Sequence, residues 1–173
     1  MGIVCSKLRK TNFQDNIEYF DKTVYGTNSK TIEYKDTTPF VVPLKNGTVV
    51  KVYDGDTITI ANRLPLHGDN TMYRFSVRLN GIDTPEIKGK NDDEKNAAIS
   101  ARDALSKLIL HKEVQLMNVT TEKYGRLLAD IYLDKLHINQ WLIDERYAVK
   151  YDGGHKESPE SWLNYKQNAN LCS

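Results

Sequence analysis

Three short clusters carry side chains that could do chemistry together: Asp54-Gly55-Asp56-Thr57, the run Arg78-Leu79-Asn80-Gly81-Ile82-Asp83-Thr84-Pro85-Glu86, and Glu122-Lys123-Tyr124-Gly125-Arg126. Singly, each has an ordinary reading. Asp-Gly is a favoured hairpin turn, Asp83 to Glu86 suits a turn into a loop, and Lys123 to Arg126 suits a polar turn between strands. Together they supply the carboxylates of Asp56, Asp83 and Glu86 and two guanidiniums, a set that can hold a divalent cation and a phosphodiester. Asp56 and Asp83 are hard oxygen ligands suited to Ca²⁺, with carbonyl and water completing the shell. Glu86, three residues beyond Asp83, can take a proton from a water beside the metal. Arg78 and Arg126 can fork onto phosphate oxygens and stabilise charge developing in a five-coordinate transition state, which lysine does less specifically. Asp54 is read as bonding the amides of its own turn.

The elements that must position these clusters are mostly strands. Val41–Leu44, Thr48–Tyr53, Thr57–Asn62, Met72–Ile82, Glu113–Val119 and Leu127–Leu133 are β-branched or alternating runs broken by Gly- and Asp-containing turns. Ala97, Ala101, Leu105 and Leu108 recur at helical spacing and predict a helix over Asp92–Lys112. A second helix is expected over Ile138–Tyr147, with Asn139 near its start. A third is expected from Ser158 as cap and Pro159 at the first helical position through about Asn168. Trp141 reads as core, Trp162 as packing the last helix onto the barrel, and His111 and His137 as surface or satisfied histidines. The order fits an α+β class: a five-stranded OB-fold barrel with about three α-helices, over residues 40–173.

With its motifs in this order, the chain resembles the staphylococcal-nuclease (thermonuclease-like) family over roughly residues 40–152. The resemblance rests on Asp-Gly-Asp-Thr at 54–57, Arg78 followed by Asp-Thr-Pro-Glu at 83–86, Lys-Tyr-Gly-Arg at 123–126, a helix beginning near Asn139 and Tyr-Ala at 147–148. It implies an OB-fold barrel and a Ca²⁺-dependent phosphodiesterase acting on DNA and RNA, cleaving the 5′ P–O bond and leaving 3′-phosphate ends. By motif position it makes Asp56, Asp83 and the Thr84 carbonyl the Ca²⁺ ligands, Glu86 the general base, and Arg78 and Arg126 the phosphate clamps. Lys123 and Tyr124 would line the nucleotide site, where a tyrosine face stacks on any base, and Tyr147 or Tyr151 could lie over the substrate. Two stretches depart from the family: Arg63–Tyr73 is longer, and Ile87–Asp93, after the general base, is short for the family's mobile loop. A catalytically silent OB-fold module that binds nucleic acid or protein is the alternative, and retention of all five catalytic and ligand side chains favours the enzyme.

Residues 1–39 read separately. Met1-Gly2-Ile3-Val4-Cys5-Ser6 satisfies the N-myristoylation pattern, in which Gly2 becomes the acylated N-terminus. One acyl chain binds a membrane only marginally, and two further signals adjoin it: Cys5 for palmitoylation, and Lys7, Arg9 and Lys10 for anionic lipid. Phe13, Ile17, Phe20 and Val24 share one face of a possible amphipathic helix before a linker. The expectation is a lipid-anchored monomer peripheral to a membrane on its cytoplasmic face. Across all 173 residues the net charge is +1, and the first ten residues hold +3 while residues 40–173 carry 18 basic and 18 acidic side chains. A bulk polycation field is therefore excluded, and any nucleic acid must be held by a local arrangement. Two cysteines and four scattered histidines give no zinc-ligand spacing.

Overall fold

The computed structural model describes residues 31–64, 70–154 and 158–167. Gly2, Cys5, the basic cluster, the 13–24 helix and His67 lie outside the described residues. Residues Val41–Ser173 form one compact unit. Within it run β1 (Asn46–Val52), β2 (Thr57–Asn62), β3 (Tyr73–Leu79), β4 (Ile82–Asp83), α1 (Asp92–Ile109), β5 (Glu113–Thr121), β6 (Leu127–Leu133), β7 (Leu136–His137), α2 (Ile138–Asp144), β8 (Val149–Lys150) and α3 (Trp162–Gln167). Before Val41 the described chain holds one 3-10 turn, Tyr34–Asp36. No described helix is long and apolar enough to cross a membrane.

The strands form where side chains alternate between core and solvent. In β6, Leu127, Ala129 and Ile131 are buried while Leu128, Asp130 and Tyr132 are half-buried between them. Antiparallel pairing runs β3-β2-β1-β5-β6, and a parallel pairing of β3 with β6 closes the five strands into a barrel. Closure needs curvature, and the chain supplies it at two bulges. Val50 is the extra residue between the pairs Val49↔Ile60 and Lys51↔Thr59, and the β5–β6 register shifts between Met117 and Thr120, where Asn118 takes φ 52°. Val49, Ile58, Ile60, Val77, Leu79, Val114 and Ile131 fill the barrel, Leu105 and Ile109 of α1 close one side, and Ile138 and Leu142 of α2 close another. The α+β class and five-stranded barrel with three helices stand as the sequence reading has them.

Element boundaries differ from that reading in several places. Val41–Leu44 is not a strand: Pro43 has no N–H for a ladder, the Leu44 N–H turns back onto the Val42 carbonyl at 2.8 Å, and Leu44 alone is buried as an anchor. The Met72–Ile82 run is broken by Asn80-Gly81, where Gly81 adopts φ 75°. Helix α1 ends at Ile109 because His111 turns left-handed at φ 63° and donates to Val49 O, while Lys112 O accepts from Val49 N, handing the chain to β1. Helix α2 starts beside Asn139 as expected but ends at Asp144 rather than Tyr147, and Asn139 sits in its first turn, 2% exposed, accepting from Ile131 N at 2.9 Å and donating to Asn80 O at 2.8 Å. Helix α3 starts at Trp162, where Ser161 Oγ accepts from Asn164 N at 3.2 Å, and Trp162 packs α3 against α1.

Candidate active site

The first two clusters meet through glycine and through strand register. In the β1–β2 turn the Tyr53 N–H donates to Thr57 O at 2.9 Å, and Asp54 Oδ1 accepts from Asp56 N at 3.2 Å, the turn-amide bond expected of it. A Cβ on Gly55 would stand 2.9 Å from Thr84 Cγ2 and 3.1 Å from Ala101 Cβ, so the missing side chain lets this turn press against the second cluster and α1. In the β2–β3 ladder Thr57 pairs with Arg78. The Leu79 N–H donates to Asp56 O at 2.8 Å, which locks the aspartate's backbone beside the arginine.

Arg78 bridges the two buried carboxylates. Its Nη1 lies 2.7 Å from Asp56 Oδ2 and its Nη2 3.3 Å from Asp83 Oδ1, with Asp56 and Asp83 each 3% exposed. Burial pushes the Asp56 carboxyl from its ordinary 3.8 up to about 7, against the opposing pull of Arg78 and with help from the Asp54 charge. Thr57 Oγ1 donates to Asp56 Oδ1 at 2.9 Å and faces Arg126 Nη1 at 3.5 Å, so one polar chain runs Arg126, Thr57, Asp56, Arg78, Asp83.

The third cluster is a turn held by its own ends. Glu122 N donates to Arg126 O at 3.0 Å, Gly125 N donates to Glu122 O at 2.9 Å, and Gly125 takes φ 79°, which only glycine adopts without strain. The Glu122 carboxylate accepts from Arg126 Nε. That bond raises the already high pKa of Arg126, fixing it as a cation and aiming the fork. Tyr124 is 73% exposed at the rim, with Lys123 Nζ 5.0 Å from its ring centre.

The three clusters line a single cleft of about 480 Å³. Arg78, Arg126, Lys123, Tyr124, Asp56 and Thr84 face it, with exposed Glu86 on its edge. Asp83 reaches it through Arg78. Of the two tyrosines, Tyr151 lines the cleft, whereas Tyr147 lines a small cavity under Trp162. Thr57 and Glu122 are members of the motifs whose work the sequence does not reveal; Glu122 is four residues from Arg126, but only the Gly125 turn folds it back. A larger groove of about 740 Å³ shares Tyr151 as a wall and contains no other predicted site residue.

A family pattern described as "Staphylococcal nuclease homologue" matches residues 76–171, more than half of the chain. The chain belongs to that family. Among relatives of this staphylococcal nuclease homologue, an uncharacterized endonuclease of Haemophilus influenzae is 33% identical over 60% of this chain and 51% of its own length. A probable endonuclease of Schizosaccharomyces pombe is 32% identical over 46% of this chain and 37% of its own. A staphylococcal-like nuclease of Arabidopsis thaliana is 31% identical over 45% and 22%. The chain thus spans about half the length, or less, of these relatives.

Whether the homologue's residues fit a divalent cation is a question of donors and charge. Among the described residues no group of three or more Asp, Glu, His or Cys side chains is arranged to hold a metal. Asp56 and Asp83 are two, and a hard cation completes such a set with carbonyls and water. In and behind the cleft stand five carboxylates (Asp54, Asp56, Asp83, Glu86, Glu122) against three cations (Arg78, Lys123, Arg126). Asp56 is buried where its charge is poorly supported. A divalent cation would relieve that burden and cancel the net negative charge that a phosphodiester otherwise meets, so the donor set fits.

Proposed function

We propose that the protein is a Ca²⁺-dependent endonuclease that hydrolyses DNA and RNA and leaves 3′-phosphate ends. One observation carries the reading: Arg78 on β3 and Arg126 in the turn before β6, far apart in the chain, converge on one cleft through the Asp56–Thr57 pair, with Glu86 on the same cleft. Asp56, Asp83 and the Thr84 carbonyl would hold the cation, which when bound supplies positive charge against the phosphate oxygens. Glu86 takes the proton of the attacking water. The water oxygen bonds to phosphorus, the P–O5′ bond breaks, and the leaving 5′ oxygen is protonated from solvent. Arg126, oriented by Glu122, and Arg78 stabilise the charge gathering on the non-bridging oxygens. Tyr124 and Lys123 at the rim, with Tyr151 across the cleft, give stacking faces and a cation that accept any base.

Digestion of single-stranded DNA, duplex DNA and RNA with Ca²⁺ or with chelator tests this reading. Activity is expected only with Ca²⁺, and Glu86→Gln and Arg126→Ala each lose roughly 10²-fold or more in kcat. Full activity in chelator, or in both variants, refutes the mechanism; inactivity of the wild-type protein under every condition supports the silent binding module instead.

We also propose that the Gly2, Cys5 and Lys7/Arg9/Lys10 signals tether the protein, as a monomer, to the cytoplasmic face of a membrane. In cells with the acyltransferases, Gly2→Ala and Cys5→Ser are expected to move the protein from the membrane fraction to the soluble one, and an unchanged distribution in both rejects the tether.

A further inference from the structure

We propose that Glu94 is a positioning residue: its carboxylate, fixed in the first turn of α1, grips the backbone of the 86–90 loop at both ends and holds Glu86 at the cleft. The inference rests on the reading of Glu86 as the base. Asn91 caps α1 by accepting from Glu94 N at 2.8 Å, which sets Glu94 as the third residue of the helix. In an Asn-x-x-Glu capping box that glutamate would bond back to the cap residue's own N–H. Here it reaches further. Oε2 accepts from Lys90 N at 2.9 Å, and Oε1 faces Glu86 N at 3.5 Å.

Gly89 supplies the space for this reach. A Cβ there would stand 2.6 Å from Glu94 Cδ and Oε2, although its backbone is in a region any residue adopts. The loop is closed on itself as well, with Gly89 N donating to Glu86 O at 2.8 Å. The first-turn position favours a carboxylate, and the bonds it accepts are charge-assisted. Glu86 is exposed at the edge of the cleft. The backbone grip sets the point from which its carboxylate reaches the cleft, and a base displaced by ~1 Å loses up to ~10²-fold. The brevity of the 87–93 loop thereby acquires a purpose: a loop this short can be held by one side chain.

The test compares kcat and KM on a defined oligonucleotide for Glu94→Ala, Glu94→Gln and Gly89→Ala, each in the wild-type and Glu86→Gln backgrounds, with thermal melting alongside. Glu94→Ala is expected to lower kcat about 10-fold with KM little changed. Glu94→Gln, which keeps one accepting oxygen, recovers part of that loss, and Gly89→Ala reproduces it with Glu94 intact. In the Glu86→Gln background none of the three lowers kcat further, because the group they position is gone. The same loss in both backgrounds, or a loss confined to KM or tracking the melting temperature, overturns the role of Glu94. A Glu86→Gln loss that Glu94→Ala and Gly89→Ala do not share overturns it too, leaving the base reading intact. Full activity in Glu86→Gln overturns the base reading and the role of Glu94 with it.

Discussion

The two arginines of the cleft are held in opposite ways. Arg78 neutralises two buried carboxylates, and removing one partner of a buried pair typically costs about 3–5 kcal/mol, so Arg78→Ala confounds chemistry with folding. Arg126 is more exposed and leans on Glu122, which makes it the cleaner probe of phosphate contact. Asp56 carries the pH dependence. Its carboxyl, raised to about 7 when folded and near 3.8 when unfolded, binds more proton in the native state between those values. Stability of the cation-free protein therefore falls as pH rises from about 4 to about 7. Melting in chelator at pH 5 and pH 7.5 is expected to show a larger drop for wild type than for Asp56→Asn, and equal drops in the two proteins refute the assignment. Residue types and spacing announce the acids and bases of the site, but they are silent on Arg78 lying between Asp56 and Asp83, because that depends on which strand neighbours which.

Elements decide what the spacing leaves out. The barrel strands and α1 are legible because their burial follows periods of two and of three to four, as in Leu127, Ala129 and Ile131 or Ala98, Ala101, Leu105 and Ile109. Val41–Leu44 has the composition of a strand and fails as one because Pro43 and the Leu44 turn spend the backbone locally. An asparagine near a helix start is commonly a cap, but Asn139 serves as a tie: one buried amide satisfies backbone groups of β6 and of the Asn80 turn. No sequence pattern separates those two uses of asparagine. Asn139→Ala strands those buried groups, and urea denaturation is expected to show a loss of about 2–4 kcal/mol. A change below about 0.5 kcal/mol means that the groups find other partners. Glu94 escapes a reading of the sequence for the same reason: an acid in a first helical turn is ordinary, and only the folded loop shows what it grips.

At the scale of the whole molecule, the near-zero charge is a sum of unlike parts. The +3 of the first ten residues stands against a body of 18 bases and 18 acids, whose cleft gathers more acid than base. On the proposed reading, nucleic acid would not be drawn in by a general field and would be admitted once a cation has cancelled the local negative excess. The barrel adds a consequence in time. Its closing ladder is parallel and sets Arg78 opposite Leu128, across the whole of α1 and β5. Contacts so distant in sequence bear the largest loop-closure entropy and form after the hairpins on either side. A chain still emerging from the ribosome carries Arg78 and Glu86 well before Arg126 exists, and even a complete chain has no cleft until β6 docks beside β3. The candidate site is thus among the last features of the barrel to be assembled, whatever the order in which its residues are synthesised.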